Sequence, residues 1–278
     1  MSKQSISSTY SEIYDVVVIG AGPVGLATAI GLRQRGIENI LVIDQTRAFR
    51  QVGQVIDLLP NGLKAIKALD FVAYEAVKKE GMTSGPPPSN HQTTTATQKK
   101  RARPARQWVQ INLQGQPIKS ISLEYDDWLQ KYGEGRVSIS WYNLQTTLRN
   151  LLPAEQVRAN YRCVDVVDDF DAGCVRVDCI SDLRTEANPY AHWTDSPQQD
   201  KIFSNSKPTS QQSGKQSFYA KLVVGADGIN SQVRRSIYRD RPYEAFAQPE
   251  YSGVTAVRCS GITEVPDQLM AELQEKFF

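Results

Sequence analysis

A glycine-rich turn between an apolar strand and a helix constrains this chain more than any other feature. The apolar run Tyr14–Ile19 leads directly into Gly20-Ala21-Gly22-Pro23-Val24-Gly25, which is a GxGxxG pattern in a strand–turn–helix context. The first glycine lets the chain turn sharply, the second leaves room for a pyrophosphate, and the third lets the helix pack on the strand. Phosphates favour the helix N-terminus, where free N–H groups meet the positive end of the dipole. The pattern predicts a dinucleotide site at these six residues rather than a flexible turn.

The residues that follow the turn support this prediction. Pro23 stands at about the first helical position, where its missing N–H costs nothing, and Gly36 is placed to end the helix. A second strand, Ile40–Ile43, ends in Asp44, about 20 residues after the glycines, where a carboxylate can accept hydrogen bonds from ribose hydroxyls. An acid there repels a ribose 2′-phosphate, which predicts FAD or NAD rather than NADP. We assign Asp44 and the adjacent Gln45 to the cofactor site.

A second turn of the same kind lies late in the chain. The apolar strand Lys221–Val224 runs into Gly225-Ala226-Asp227-Gly228, and a helical pattern follows in Ile229–Arg235. Ligands of open α/β sheets bind outside the carboxyl ends of the strands. The motif therefore predicts a second nucleotide-facing turn with Gly225, Asp227 and Gly228 at the site, although an ordinary strand–turn–helix remains the alternative.

Composition narrows the class of protein. The chain has 278 residues, 40% of them hydrophobic, and a formal net charge of +2, which indicates one or two domains and no particular charged partner. No apolar run reaches the length of a membrane span, and Met1–Ser11 lacks an apolar signal core. The four cysteines have no CxxC spacing and there are two histidines, so we expect reduced thiols, a cytoplasmic location and no metal site.

Two long segments are predicted to be flexible surface loops. Residues 81–106 contain three consecutive prolines and a basic run at 99–106, and residues 183–217 are rich in Ser, Gln, Asn and Pro. The basic run lacks interleaved aromatic residues, which favours a solvated loop over a nucleic-acid site. Elsewhere, periodicity and turn residues predict short elements: helices over Leu63–Leu69 and Tyr142–Leu152, a hairpin of Trp108–Leu113 with Ile118–Leu123, and strands over Arg162–Val167 and Cys174–Ile180 joined by a solvated acidic turn.

These motifs resemble the FAD-dependent aromatic hydroxylases and related monooxygenases, the family that includes para-hydroxybenzoate hydroxylase. The resemblance rests on three ordered matches: the segments 20–26 and 225–234, and between them Arg50, Gly53, Ile56 and Pro60-Asn61-Gly62-Leu63. It implies that Asp44 holds the adenosine ribose and that Arg50 lies near the flavin pyrophosphate. It also implies that the stretch around Asp227 serves both FAD and an incoming NADPH.

The resemblance further implies an α/β fold, in which a Rossmann-like FAD-binding domain of the glutathione-reductase type is interrupted by a β-sheet substrate domain. The implied activity is hydroxylation or epoxidation of a small aromatic or isoprenoid substrate, with FAD as cofactor and NADPH or NADH as transient donor. No catalytic residue is assigned. The implied segments are a polar tail at 1–13, FAD-binding parts at 14–80 and 136–240, a loop at 81–106, and substrate-domain parts at 107–135 and 241–278.

The chain departs from the family pattern at two places. Trp141 stands three residues before Leu144, where family members usually carry an arginine. The family's later Gly-Asp motif has no match after Asp227, so the sequence looks like an N-terminal portion of such an enzyme. Two alternatives therefore stay open: a flavin-binding fragment without turnover, and another flavoprotein of the prenyl-reductase kind on the same scaffold.

Overall fold

A computed structural model describes residues 13–46, 49, 53–83, 107–112, 114–169, 173–181, 214–253, 266–269 and 271–272. The chain divides into two compact units, one of residues 1–52 with 145–250 and the other of residues 53–144 with 251–278. Residues 53–80, which the sequence groups with the first cofactor-binding segment, therefore belong to the second compact unit. The assignment of these units to a cofactor domain and a substrate domain stays a prediction.

The described strands and helices follow one another along the chain in mixed α/β order. They are β1 (Ile13–Ile19), α1 (Pro23–Arg33), β2 (Ile40–Ile43), β3 (Val55–Leu58), α2 (Pro60–Leu69), α3 (Phe71–Thr83), β4 (Gln107–Ile111), β5 (Pro117–Ser122), α4 (Tyr125–Tyr132), β6 (Val137–Ser140), α5 (Trp141–Arg149), β7 (Val157–Arg158), β8 (Arg162–Asp169), β9 (Cys174–Ser181), β10 (Gly214–Gly225) and α6 (Gln232–Tyr238).

A six-stranded sheet in the order β7-β2-β1-β10-β9-β8 forms the first unit. The strands β7, β2, β1 and β10 run parallel, whereas β9 and β8 are antiparallel to their neighbours. The last residue of β1, Ile19, is in register with Ile43 of β2 and Gly225 of β10. The carboxyl ends of these three strands therefore lie at one edge of the sheet, which confirms the α/β fold class predicted from the sequence.

The centre of this sheet is apolar on both faces, as is usual for parallel strands. Val17 and Val18 of β1 and all of β2 are almost completely buried. Helix α1 turns its small and apolar residues inward, with Leu26 and Ala29 at 0% and 1% exposure. Pro23 is its first residue, as predicted, and Gly36 (φ +82°) donates its N–H to Arg33 O beyond the helix end.

Strand β10 is longer than the sequence pattern indicates. Its first half pairs with β9, from Gly214 opposite Ser181 to Ala220 opposite Val175, and its second half pairs with β1. Residues 214–217 therefore belong to a strand and not to the predicted loop 183–217, because their backbone groups pair with β9. The rest of that loop lies outside the described residues.

The second unit contains two small antiparallel pairs of strands, β3 with β6 and β4 with β5, together with α2, α3 and α4. The predicted hairpin is confirmed as β4 and β5, and the predicted helix 63–69 starts earlier, at Pro60. Helix α3 includes residues 81–83, which the sequence assigns to a loop. At Gly81 a side chain would lie 2.6 Å from Val137 Cγ2, so glycine lets this end of the helix pack against β6.

A buried carboxylate ties three segments of the second unit together. Glu134, 4% exposed, accepts hydrogen bonds from the hydroxyls of Tyr74 (2.9 Å) and Tyr125 (3.1 Å) and from Gly135 N–H (2.9 Å). Lys78 Nζ lies 3.2 Å from the Tyr74 hydroxyl oxygen. Burial alone would raise the pKa of Glu134, but these hydrogen bonds and the nearby Lys78 ammonium outweigh it and hold the pKa below its ordinary value.

Candidate dinucleotide-binding site

The two glycine turns predicted from the sequence meet at the edge of the first unit's sheet. Ala226 N–H donates to Ile19 O at 2.7 Å, and Gly20 N–H donates to Ile43 O at 2.7 Å. Gly20 has a φ of +108°, and a Cβ there would lie 2.6 Å from the carbonyl carbon of Ala226 and 3.0 Å from Asp227 N. Only glycine fits this position, since both the backbone angle and the packing exclude a side chain.

The start of α1 is open to a ligand. Gly22 is the N-cap residue in an extended conformation (φ −71°, ψ 174°), and no side chain caps the helix. At Gly25 a Cβ would overlap the Gly20 carbonyl oxygen and would lie 3.2 Å from Ala226 Cβ. The glycines therefore bring the helix N-terminus against the backbone of both turns, which leaves its first N–H groups available for phosphate oxygens.

Asp44 stands beside this helix N-terminus at the end of β2. Its Oδ2 accepts the N–H of Ala21 at 2.7 Å, and its Oδ1 accepts the N–H of Thr46 at 2.7 Å. A carboxylate offers about four acceptor positions, so both oxygens keep capacity for ribose hydroxyls. The Asp44 side chain is half-buried and the adjacent Gln45 is exposed, as is usual for residues at the edge of a binding site.

A buried glutamine that no sequence motif singled out is hydrogen-bonded to the glycine-rich turn. Gln145 on α5 is 3% exposed, and its Nε2 donates to the carbonyl oxygen of Ala21 at 2.7 Å. The two residues are 124 positions apart in the sequence, so no local pattern marks the contact. Together with Asp44, this hydrogen bond fixes both backbone polar groups of Ala21.

The carboxylate of Asp227 is engaged with the helix that follows it. Its Oδ1 accepts the Ser231 hydroxyl at 2.6 Å and its Oδ2 accepts Gln232 N–H at 2.6 Å. Ser231 in turn caps α6 by accepting Arg234 N–H at 3.0 Å. Gly225 and Gly228 flank this acid in the same turn, which adjoins Gly20. The structure thus gives Asp227 a local structural role, and its contact with a cofactor stays a prediction.

Arg50 and Trp141 occupy the two remaining positions of the implied flavin site. Arg50 lies outside the described residues. Trp141 stands where the family usually has an arginine, and it belongs to the second unit. Its backbone N–H donates to Gln54 O at 2.9 Å. Gly53 (φ +99°) packs against it so closely that a Cβ would lie 2.9 Å from Trp141 Cβ. Gly53 therefore makes room for Trp141.

The described part of the chain has neither the side-chain clusters of a metal site nor a helix suited to span a membrane. No group of three or more His, Cys, Asp or Glu side chains there is arranged to hold a metal ion. Among the described helices, none has both the length and the apolar character needed to cross a membrane.

Comparison with known proteins bears on the same site. Residues 13–54 match the family model described as an FAD binding domain. A 3-amino-4-hydroxybenzoate 2-monooxygenase from Streptomyces cremeus is 29% identical over 233 residues, which cover 84% of this chain and 44% of that protein. A dual trans-enoyl reductase/FAD-dependent monooxygenase from Aspergillus terreus is 37% identical over 263 residues, which cover 94% of this chain and 29% of that protein. The chain thus spans less than half the length of these two relatives.

The fold is shared with solved flavoprotein structures. The p-nitrophenol 4-monooxygenase from Pseudomonas putida matches with a TM-score of 0.50 and 19% identity, over 81% of this chain and 43% of that one. At this identity the match speaks for the fold alone. The matched FAD binding domain and the monooxygenase relatives support, with partial coverage, a family of FAD-dependent flavoproteins of the aromatic-hydroxylase type, and the shared fold agrees with it.

Proposed function

We propose that the protein binds FAD and acts as a monooxygenase-type oxidoreductase that uses NADPH or NADH and O₂ to hydroxylate or epoxidise a small organic substrate. The observation that carries the proposal is the glycine cradle. Gly20 and Gly25 lie where a Cβ would meet the backbone of Ala226 or Gly20, and this packing presents the uncapped N-terminus of α1 beside Asp44. The match of residues 13–54 to an FAD binding domain supports FAD as the occupant.

The residues of the cradle would hold the cofactor in a defined orientation. The N–H groups at the start of α1 would bind the pyrophosphate, and the free acceptor positions of Asp44 would bind ribose hydroxyls. Asp44 accepts the N–H of Ala21 and Gln145 donates to its carbonyl oxygen, so the turn is preorganised for binding. FAD, when bound, supplies the electron- and oxygen-transfer chemistry, and the protein supplies orientation and exclusion of water.

The substrate class is proposed from the relatives. The names of the Streptomyces cremeus and Pseudomonas putida proteins identify an aminohydroxybenzoate and a nitrophenol as their substrates. We therefore propose a small aromatic substrate, with an isoprenoid as the alternative. The dependence on NAD(P)H also favours a cytoplasmic location as part of this proposal.

The first test asks which dinucleotide the site takes. The purified chain is mixed with FAD or with NAD and passed through a desalting column. We expect the FAD sample to retain a visible flavin spectrum and the NAD sample to lose its nucleotide. Retention of NAD with no uptake of flavin would overturn the assignment of the cradle to FAD.

The second test separates a monooxygenase from the alternatives. The FAD-loaded protein is given NADPH or NADH with a panel of hydroxybenzoates, nitrophenols and isoprenoids, and product and hydrogen peroxide are measured separately. Substrate-stimulated NAD(P)H oxidation with hydroxylated or epoxidised product supports the proposal. Flavin retention without any NAD(P)H oxidation would instead indicate a binding module, and saturation of a substrate double bond without O₂ would indicate a reductase.

A further inference from the structure

Two cysteines face each other across neighbouring strands of the first unit. Cys163 of β8 is directly opposite Cys179 of β9 in the antiparallel register. Directly opposed residues on such strands have Cβ atoms about 4.5–5.5 Å apart, close to the separation that a disulfide requires. The Cys163 thiol donates to the carbonyl oxygen of Asp165 at 3.5 Å, and Cys163 packs against the apolar cluster that contains Cys179.

We propose that Cys163 and Cys179 form a redox-active pair that a peroxide converts into an intrachain disulfide. This site is separate from the glycine cradle and does not depend on the function proposed above. Both cysteines are free thiols in the structure.

The different exposure of the two thiols gives each a distinct part in the reaction. Cys163 is partly exposed, whereas Cys179 is 2% exposed in the core of the sheet. Peroxide can therefore reach Cys163 first, and Cys179 acts as the resolving thiol. The neighbouring Cys163 thiol, together with burial, raises the pKa of Cys179 well above its ordinary value, so the buried thiol stays protonated while both cysteines are reduced.

The chemistry proceeds in two displacements. The Cys163 thiolate attacks one peroxide oxygen, the O–O bond breaks, and the departing hydroxide takes up a proton to leave as water. The Cys179 sulfur then attacks the oxidised sulfur of Cys163, loses its proton, and displaces a second water as the S–S bond forms. In total, two thiols lose two electrons and two protons, and hydrogen peroxide is reduced to two molecules of water.

The backbone of β8 is irregular next to Cys163, and this irregularity favours disulfide formation. The register shifts between Cys163 and Asp165, so β8 carries a bulge directly after Cys163. Bulges bend and twist a strand locally, which gives the sulfur of Cys163 more freedom to reach disulfide geometry than a regular ladder allows. Beyond the bulge, Asp165 is held by Arg239 at 2.6 Å and by Ser236 at 3.4 Å, so any adjustment is confined to the bulge.

Cys174 provides a matched control on the same strand. It is buried, 4% exposed, but lies opposite Asp169 and has no cysteine across from it. It shares a tryptic peptide, residues 163–176, with Cys163, while Cys179 falls in the peptide 177–184. The variant Cys174→Ser therefore leaves one cysteine in each peptide, so a crosslink between them identifies the pair without ambiguity.

The experiment uses the full chain and its Cys174→Ser variant, reduced and then treated with stepwise hydrogen peroxide. Remaining thiols are alkylated under denaturing conditions, and tryptic peptides are analysed by mass spectrometry without reduction. We expect a linked 163–176/177–184 pair in both proteins that dithiothreitol separates. In Cys179→Ser we expect dimedone to label Cys163 instead, and in Cys163→Ser we expect Cys179 to stay a thiol.

Three results would overturn the proposal. In the first, peroxide oxidises N-acetylcysteine in the same tube, but Cys163 and Cys179 can still be alkylated. Another is a link that disappears in Cys174→Ser, which would assign the disulfide to Cys174. The third is accumulation of dimedone-labelled Cys163 in the wild-type chain with no link, which would show that Cys179 does not resolve it.

Discussion

The carboxylate of Asp44 and the backbone N–H of Ala21 are 2.7 Å apart, so the acid at the end of β2 is hydrogen-bonded to the glycine-rich turn itself. In the sequence the two features are separate marks of a dinucleotide site. In the fold they are one unit, since the acid that we propose binds the ribose also accepts a hydrogen bond from the turn. We therefore expect a substitution of Asp44 to affect both the shape of the cradle and the proposed contact with the cofactor.

Replacing Asp44 by alanine is expected to weaken FAD binding by about 10- to 100-fold, because hydrogen bonds to a charged group contribute about 1.5–3 kcal/mol each. Titration by flavin fluorescence measures the change, at a temperature well below the thermal unfolding of both proteins. Asp15→Ala is the matched control, since Asp15 lies near the opposite end of β1 and pairs with Lys221. An unchanged dissociation constant for Asp44→Ala would mean that the carboxylate does not contact the ribose.

Alanine at Gly25 is expected to abolish FAD retention and to lower the thermal unfolding temperature, because the added Cβ overlaps the Gly20 carbonyl oxygen. Gly62 in α2 is the contrasting helical glycine, where a Cβ would lie 3.7 Å from Leu58 Cδ2, an ordinary contact. Gly62→Ala should stabilise the protein by about 0.5–1 kcal/mol through helix propensity. Desalting and calorimetry on both variants test the pair; flavin retention by Gly25→Ala would contradict the close packing.

Removing the Asp227 carboxylate is expected to destabilise the fold by about 1–3 kcal/mol, because the Ser231 hydroxyl and the Gln232 N–H lose their charged acceptor. Ser231→Ala should cost about 1 kcal/mol through loss of the helix cap. Urea unfolding of the protein without FAD measures both. If Asp227→Ala has normal stability but weak FAD binding, the carboxylate serves the cofactor and not the helix.

Glu134→Gln is expected to lower the free energy of unfolding at pH 7 by about 2 kcal/mol, since three hydrogen bonds lose their charged acceptor. The pKa of Glu134 is lowered in the folded protein, so its contribution is present above the unfolded value of about 4.3 and is lost as pH falls through the folded pKa. The difference between wild type and variant should therefore shrink from about pH 5 downward.

Urea unfolding at a series of pH values checks this expectation. Glu75→Gln, on the exposed face of α3, serves as the control and should leave the pH profile unchanged. A gap between wild type and Glu134→Gln that stays constant down to pH 3 would show that ionisation of Glu134 does not stabilise the fold.

The elements that the sequence predicted are those with a strong local signal. β1, α1 and β2 follow from apolar runs separated by Gly and Pro, and the hairpin follows from its turn. The pattern missed β3 and β6, four residues each, because their pairing joins segments about 80 positions apart and leaves no local trace. Helices α3 and α4 do have start and stop signals in the sequence. Asp70 caps α3 by accepting the N–H of Ala73, and Gly133 (φ +68°) ends α4.

The residues of the candidate site also differ in whether a local sequence signal marks them. Gly20 and Gly25 are visible in the sequence because no side chain fits at these positions, and Asp44 is visible because it ends a strand at the expected spacing after the glycines. The support from Gln145 depends on tertiary structure and could not be predicted. For Asp227, the motif indicated a cofactor contact, whereas the fold shows a carboxylate bound to the start of α6. Arg50 lies outside the described residues, so its assignment stays a prediction.

The double pairing of β10 has a consequence for amide hydrogen exchange. Tyr219 and Ala220 have partners on both sides, in β1 and in β9, whereas Leu222 to Gly225 pair with β1 alone. Amides at a doubly paired centre exchange only when the sheet opens as a whole, while singly paired ends exchange through local opening. The middle of β10 thus provides an internal reference for exchange rates. If cofactor binding slows exchange at the end of β10 near the cradle but not in the middle, the difference reports binding.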